Sequence, residues 1–322
     1  MPIVVGTDEA GYGPNLGPLV ITATTWEVPD GITPETMWQP LEPALTDSPS
    51  RNDKRLHVSD SKKVYSAGKS IGSLERGILA FLTHLKQPHA TCVELGTTVS
   101  GSAFTKDYHK ACGKKLEDLK LPLSANADAI SSSAALLSAT MSEQNFRLLS
   151  IKSCVMFPPE FNQQVEQTNS KGKVLSSATL QLVKASVDEA EVQSENGPVT
   201  GWVVCDKHGG RNRYDDVISE AFDDQFVFRI EEGGPRSVYR VGELEFCFRT
   251  KAEAILPVAL ASMVSKYVRE VVMTQFNRFW QQHVPDLKPT KGYPVDAARF
   301  WTDIEPTVKK LKIAKSDVWR CR

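Results

Sequence analysis

Residues 3–28 read IVVGTDEAGYGPNLGPLVITATTWEV, and how this stretch folds decides the rest of the chain. Residues 3–5 and 19–28 are apolar and rich in β-branched side chains, which suits strands. Between them Gly11, Gly13, Gly17, Pro14 and Pro18 mark a turn, so the stretch predicts two strands joined by a tight loop. A dinucleotide-binding loop would need GYGPNLG to open a helix facing a pyrophosphate. Pro18 and a β-branched run follow instead, and that reading fails. Asp8 and Glu9 therefore sit where an apolar run gives way to the turn.

Two other places repeat this grammar. VTGWVVCD is a short apolar strand ending at Asp206, followed by HGG and a helix in RYDDVISEAF. QFVFRI and ELEFCFRT alternate in the strand manner around the turn EEGGPR, predicting a hairpin that ends just before Glu253. One Asp-Glu doublet among 39 acidic residues carries little information; acids delivered by three strands carry more. Adjacent strand ends would bring them within reach of one metal site, because hard divalent cations are held by a few carboxylate oxygens, water and phosphate. Two such ions about 4 Å apart can activate a water and stabilise the leaving oxygen of a phosphodiester.

The rest of the chain alternates helical and strand patterns. Residues 29–58 are proline-rich and polar, an excursion with at most a short helix near ETMWQPLEPAL. A helix is predicted within residues 58–85, where Ile71, Leu74, Ile78, Leu82 and Leu85 recur at three- and four-residue steps. Residues 96–145 read as a largely helical insertion, FRLLSIKSCVMFPPEFN as a strand entering a turn, and SKGKVLSSATLQLVKASVDEA as a helix before a turn at SENGP. After Glu253, Val264, Val268, Val271, Val272, Phe276 and Phe279 share a helical face, with Pro257 tolerable in the first turn. These readings give an α/β class, with residues 1–284 as one elaborated domain and 285–322 as a helical C-terminal extension packed on it. No internal repeat is visible.

At 322 residues and 41% hydrophobic content, the chain can bury a substantial core. No run reaches the roughly 18 to 20 apolar residues of a membrane helix, and the first residues lack a signal-peptide pattern, so the expectation is a cytoplasmic protein without a membrane partner. Cys92, Cys112, Cys154, Cys205, Cys247 and Cys321 are scattered, as buried thiols in a reducing compartment would be. The net charge of −1 restricts nucleic-acid binding to local patches: Lys62 with Lys63, Lys114 with Lys115, Arg211 with Arg213, and the tail lysines 309, 310, 312 and 315. Each such patch can equally be a solvated face.

In this order, the blocks are recognisable. GTDEAGYGPNLGPLVI resembles the first motif of the type 2 ribonucleases H, the ribonuclease HII and HIII families. DSKK at Asp60–Lys63, VVCD ending at Asp206, TKAEAILPVALASMVSK around Glu253, and PTKGYP around Tyr293 are similar to the later blocks. The resemblance implies a ribonuclease H-like fold, a central mixed β-sheet flanked by helices, and a metal-dependent endoribonuclease leaving 5′-phosphate and 3′-hydroxyl ends. It implies that Asp8, Glu9, Asp206 and Glu253 are catalytic acids holding two divalent ions, Mg2+ or Mn2+, with Asp8 bridging them. Backbone amides around Gly11, Tyr12 and Gly13 would contact a ribonucleotide 2′-hydroxyl, and Tyr293 would stack on a sugar at an RNA–DNA junction. The implied substrate is an RNA–DNA hybrid or duplex DNA with embedded ribonucleotides, with no obligate protein partner.

Several positions have two readings. Lys62 and Lys63 would bind the nucleic-acid backbone or stay solvated; Ser262 and Lys266 would pack or touch phosphate; His208 would move a proton or be structural. Glu253 after Thr-Lys-Ala is more similar to ribonuclease HIII than to HII. Between Gly11 and Gly13 the family carries Arg or Lys, and Tyr12 stands there instead. That departure, with the two insertions, keeps open a non-catalytic nucleic-acid-binding relative, or a nuclease of the same fold with another substrate.

Overall fold

The computed structural model describes residues 1–68, 70–114, 116–194 and 198–321, with the side chains of 66–68 undescribed. Lys115 of the second basic patch and the middle of the SENGP turn lie outside the described residues. The strands are β1 (Ile3–Ala10), β2 (Leu19–Glu27), β3 (Leu45–Thr46), β4 (Leu56–His57), β5 (Arg147–Met156), β6 (Gly201–Asp206), β7 (Val227–Glu232), β8 (Arg236–Val241) and β9 (Leu244–Arg249). The helices are α1 (Trp38–Leu41), α2 (Ser61–Gly68), α3 (Gly72–His84), α4 (Cys92–Ser100), α5 (Ala103–Cys112), α6 (Ala127–Glu143), α7 (Pro158–Thr168), α8 (Lys171–Gln193), α9 (Asp215–Ala221), α10 (Leu256–His283), α11 (Pro294–Lys310) and α12 (Lys315–Val318).

Seven strands form one mixed sheet in the order β5-β2-β1-β6-β9-β8-β7. The neighbours β1, β6 and β9 run parallel, and the flanking pairs are antiparallel. β2 lies second from one edge of the sheet, yet it is buried on both faces from Leu19 to Trp26. Its run of β-branched residues thus packs helices on either side rather than alternating with water. Each such buried side chain contributes about 1.5–3 kcal/mol.

The 28-residue α10 crosses one face of the sheet and is itself covered by the helical insertion, so it is buried nearly all round. Pro257 falls in its first turn, as expected. The crossing is close at Gly6, where a Cβ would stand 2.4 Å from the Pro257 carbonyl carbon and from the Val258 nitrogen. Thr24 Oγ1 donates to the Pro257 carbonyl at 2.8 Å and fixes the same crossing. On the opposite face, α8 and α9 close a second core around Val5, Val203, Tyr239 and Phe246.

The insertion is anchored by a buried acid. Glu75, fully buried in the first turn of α3, accepts the backbone N–H groups of Leu123, Ser124 and Ala125 at 2.7–2.8 Å and the Tyr267 hydroxyl at 2.6 Å. Beyond residue 285, α11 sends Phe300, Ile304 and Val308 into the α10 core. Among the described residues no helix is long and apolar enough to cross a membrane.

Three sequence readings need correction. The helix expected within 58–85 is two, α2 ending at Gly68 and α3 starting at Gly72, and Ser70 Oγ accepts the Gly72 N–H. The predicted hairpin is a three-stranded meander: β8 was passed over because the second turn, at Gly242 with φ +54, is short. Ser237, Tyr239 and Val241 of β8 are buried and Arg236 and Arg240 exposed, but Val238 is buried too, so the alternation is incomplete. Residues 29–58 also contain the small parallel pair β3–β4, besides the short helix expected there.

Candidate active site

Strand direction brings the acids together. In the parallel trio, Thr7 pairs with Cys205 and Asp206 with Arg249, so β1, β6 and β9 end at the same edge. Asp8 and Asp206 lie one residue beyond the Thr7–Cys205 pair. Glu253 follows in a 3-10 turn, Ala252–Ala254, entered through Lys251 in the left-handed region at φ 57. Glu253 thus comes from the link between β9 and α10, four residues past the strand end rather than directly at it.

The turn bearing Glu253 is held on both sides. The Ala252 N–H donates to Asp206 Oδ1 at 3.3 Å, and Trp38 Nε1 donates to the Ala254 carbonyl at 2.8 Å. Trp38 comes from the excursion at 29–58, as does Glu35, which pairs with Arg249 at 3.3 Å. That excursion is therefore a buttress of the acid edge.

Burial first, and neighbouring acids after it, raise Asp8, Glu9 and Asp206. Burial, then the Glu9 charge, holds Asp8 well above the usual carboxylate range, against hydrogen bonds from Ser262 and the Glu9 N–H. Burial and the Asp206 charge lift Glu9 to about 7, with Lys62 acting the other way. Asp206 is raised by burial and by Glu253, against the Ala252 N–H and Lys62. All four keep partial exposure.

Among the described residues, no group of three or more His, Cys, Asp or Glu side chains could together hold a metal ion as it stands. The donor set itself fits a hard divalent cation: it is all carboxylate oxygen, and mutual repulsion is what a cation would relieve.

The neighbouring residues fall into two groups. On the α10 side, Ser262 Oγ bonds Ser61 Oγ at 3.2 Å, and Ser265 Oγ donates to the Asp8 carbonyl at 3.0 Å and to Thr22 Oγ1 at 2.8 Å. This seats the N-terminal turn of α2 beside Asp8 and brings the Lys62 charge to bear on Glu9 and Asp206, while Lys63 stands beside His57. Lys266 and Lys291 both pair with the buried Glu270, and both lie over the Tyr65 ring at 5.4 and 5.5 Å.

On the α8 side, Tyr12 is half-buried against the cluster containing Phe161 and Leu175. Lys171, at the start of α8, lies 5.3 Å above its ring, so a cation stands beside the loop although the loop itself carries none. Gly11 has φ +87, and a Cβ there would strike Arg269 Nε at 2.5 Å. Gly13 faces open space. Gly292 accepts the Asn15 and Leu16 N–H groups, which places the exposed Tyr293 next to the same loop.

His208 does not face the acids as a proton carrier. It is buried edge-on against Tyr214 and Phe248, with Nδ1 2.9 Å from Ser176 Oγ. Burial and Arg211 push its pKa down to about 3, leaving a neutral, structural imidazole. The sequence reading missed Trp38, Lys171 and Arg320, the last being a buried guanidinium beneath the glycine loop. A cavity of about 550 Å³, lined by Met1, Ile3, Arg147 and Val199 among others, lies at the opposite end of β1 from the acids.

No protein-family model matches the chain, and no curated protein matches it. The structure is similar to ribonuclease H2 from Pyrococcus horikoshii OT3, at 15% identity over 98% of this chain and 92% of that one, with a TM-score of 0.42. It is similar to Bst-RNase HIII solved in complex with Mn2+, at 14% identity over 99% of this chain, but it spans only 65% of that one, with a TM-score of 0.42. The RNase HII in the PCNA:RNase HII complex from Archaeoglobus fulgidus gives 13% identity, 99% and 94% coverage, and a TM-score of 0.41. These three solved structures are ribonucleases H2, HIII and HII, and the likeness to each is at 13–15% identity.

Proposed function

We propose that the chain is a metal-dependent endoribonuclease that cuts the RNA strand of an RNA–DNA hybrid, or duplex DNA at an embedded ribonucleotide, leaving 5′-phosphate and 3′-hydroxyl ends. The observation that carries this reading is the gathering of Asp8, Glu9, Asp206 and Glu253 at one edge of the sheet, where burial and neighbouring charge raise Asp8, Glu9 and Asp206. Lys62 and a few hydrogen bonds offset this only in part, and a divalent cation would relieve the rest.

The chain's own residues divide the work. Asp8, Glu9, Asp206 and Glu253 would hold two Mg2+ or Mn2+ ions, which when bound supply Lewis-acid stabilisation of the phosphate and an acidified water. Lys62, whose charge bears on Glu9 and Asp206, would meet a phosphate. The amides of Gly11, Tyr12 and Gly13 would read the 2′-hydroxyl, the group that separates RNA from DNA. Tyr293, exposed beside that loop, would stack on the sugar at a junction. Lys63, the next residue of α2, would bind the nucleic-acid backbone beside Lys62.

The test uses three duplexes, an RNA–DNA hybrid, a single-ribonucleotide duplex and an all-DNA duplex, each with Mg2+ or Mn2+ and beside Asp8→Asn. Metal-dependent cutting of the first two, lost in Asp8→Asn, is the expected result. Cutting of all three overturns ribonucleotide specificity. Tight binding with no cutting under any condition replaces the enzyme with a nucleic-acid-binding relative.

A further inference from the structure

The loop from Gly11 to Pro18 is held from beneath by two guanidinium groups that are each 1% exposed, Arg269 from α10 and Arg320 from the segment after α12. Arg320 Nη2 donates to the Gly11 carbonyl at 2.5 Å and to the Pro14 carbonyl. Arg269 Nη2 donates to the Leu16 carbonyl at 3.1 Å and to the Lys291 carbonyl at 3.0 Å. The backbone reinforces the arrangement: Arg320 N–H donates to the Asn15 carbonyl at 2.8 Å, and Leu16 bridges Trp319. Asn162 clamps the segment in turn, bonding the Trp319 carbonyl at 2.9 Å and the Cys321 N–H at 2.7 Å.

This is a costly foundation. Two like charges are buried close enough to repel, and Arg269 Nε, Arg320 Nε and Arg320 Nη1 have no hydrogen-bond partner among the described residues. What it secures is direction. In a trans peptide the carbonyl and the following N–H point opposite ways. With the Gly11 carbonyl drawn inward to Arg320, the Tyr12 N–H is turned outward, away from that guanidinium.

We propose that Arg320 is a positioning residue for ribose recognition: by holding the Gly11 and Pro14 carbonyls inward, it aims the Tyr12 amide at the 2′-hydroxyl of the strand lying on the acid edge. The proposal rests on the reading of the site as one that acts on ribonucleotides. Arg320 touches no substrate itself and acts only through the loop.

The test compares Arg320→Met and Arg320→Lys with the wild type in the full chain. Hydrogen exchange of amides 11–17 is followed without substrate; affinities for single-ribonucleotide and all-DNA duplexes are measured with Ca2+, and KM and kcat with Mg2+. In Arg320→Met the Tyr12 amide exchanges at least about tenfold faster, ribonucleotide affinity falls and KM rises about tenfold, kcat stays within about twofold, and all-DNA affinity is unchanged. Arg320→Lys, keeping one donor, recovers part of each loss, and it carries the comparison alone if the methionine variant fails to fold. Equal losses for ribonucleotide and all-DNA duplexes, or faster exchange with no change in ribonucleotide affinity, overturn the proposal. Should the wild type cut nothing, the function proposed above falls, while the contrast in exchange and binding still decides the role of Arg320.

Discussion

Two sets of carboxylates in this molecule meet opposite fates. Glu75 is buried completely, yet three backbone N–H groups and a tyrosine hydroxyl surround it, and its charge is consumed in joining α3, α10 and the loop at 123–125. Asp8, Glu9 and Asp206 are less buried but have few donors, and they press on one another. The difference teaches that burial alone does not mark a functional acid. A satisfied acid is architecture, and an acid short of donors beside other acids is held ready for something the chain does not itself supply.

The comparison breaks most easily at Asp8. Asp8→Asn is expected to lower kcat by about three orders of magnitude, about 4 kcal/mol in the barrier, while the thermal midpoint stays level or rises because a repelled charge has gone. A large fall in the midpoint would make Asp8 another Glu75. Conversely, Glu75→Ala leaves three backbone donors without an acceptor and should lower the unfolding free energy by about 3–5 kcal/mol in a urea titration. A loss under about 1 kcal/mol would mean that the partnered acid is not structural.

A smaller effect tests how far the acid edge depends on its buttress. Trp38→Phe removes the indole N–H that holds the Ala254 carbonyl and should weaken Mn2+ binding about tenfold, about 1.4 kcal/mol, by calorimetric titration. Unchanged affinity would detach the 29–58 excursion from the site. The smallest effect concerns Glu270, a buried acid paired with two lysines. Burial opposes its charge, but Lys266 and Lys291 outweigh burial and hold its carboxyl below the usual range. Its contribution is therefore present above the unfolded value of about 4.3 and is lost as pH falls through the folded one. Glu270→Gln should cost about 1–2 kcal/mol near pH 7, with the gap to wild type closing below about pH 4 in pH-dependent unfolding.

The acids were legible because their signal is local. A β-branched run ending in a carboxylate can be read within ten residues, as at Asp8 and Asp206, and so can the long helix after Glu253. β8 was missed through a short turn, an error of punctuation rather than of periodicity. Trp38 and Arg320 left no such mark. Their partners lie 216 and 309 residues away, and a tryptophan in a proline-rich excursion or an arginine near Cys321 has no local pattern to announce it. The cation expected in the glycine loop was sought at position 12, whereas Lys171 brings it there from α8.

The partial exposure of all four acids has a further consequence. An enzyme for small molecules usually encloses its reactants and expels water with its own walls. Here each acid keeps one part-exposed edge beside the strand ends, while the chain buries the rest. Under the proposed function, the nucleic acid itself would close over that edge, so the reactant would also serve as the cover that shuts out the water.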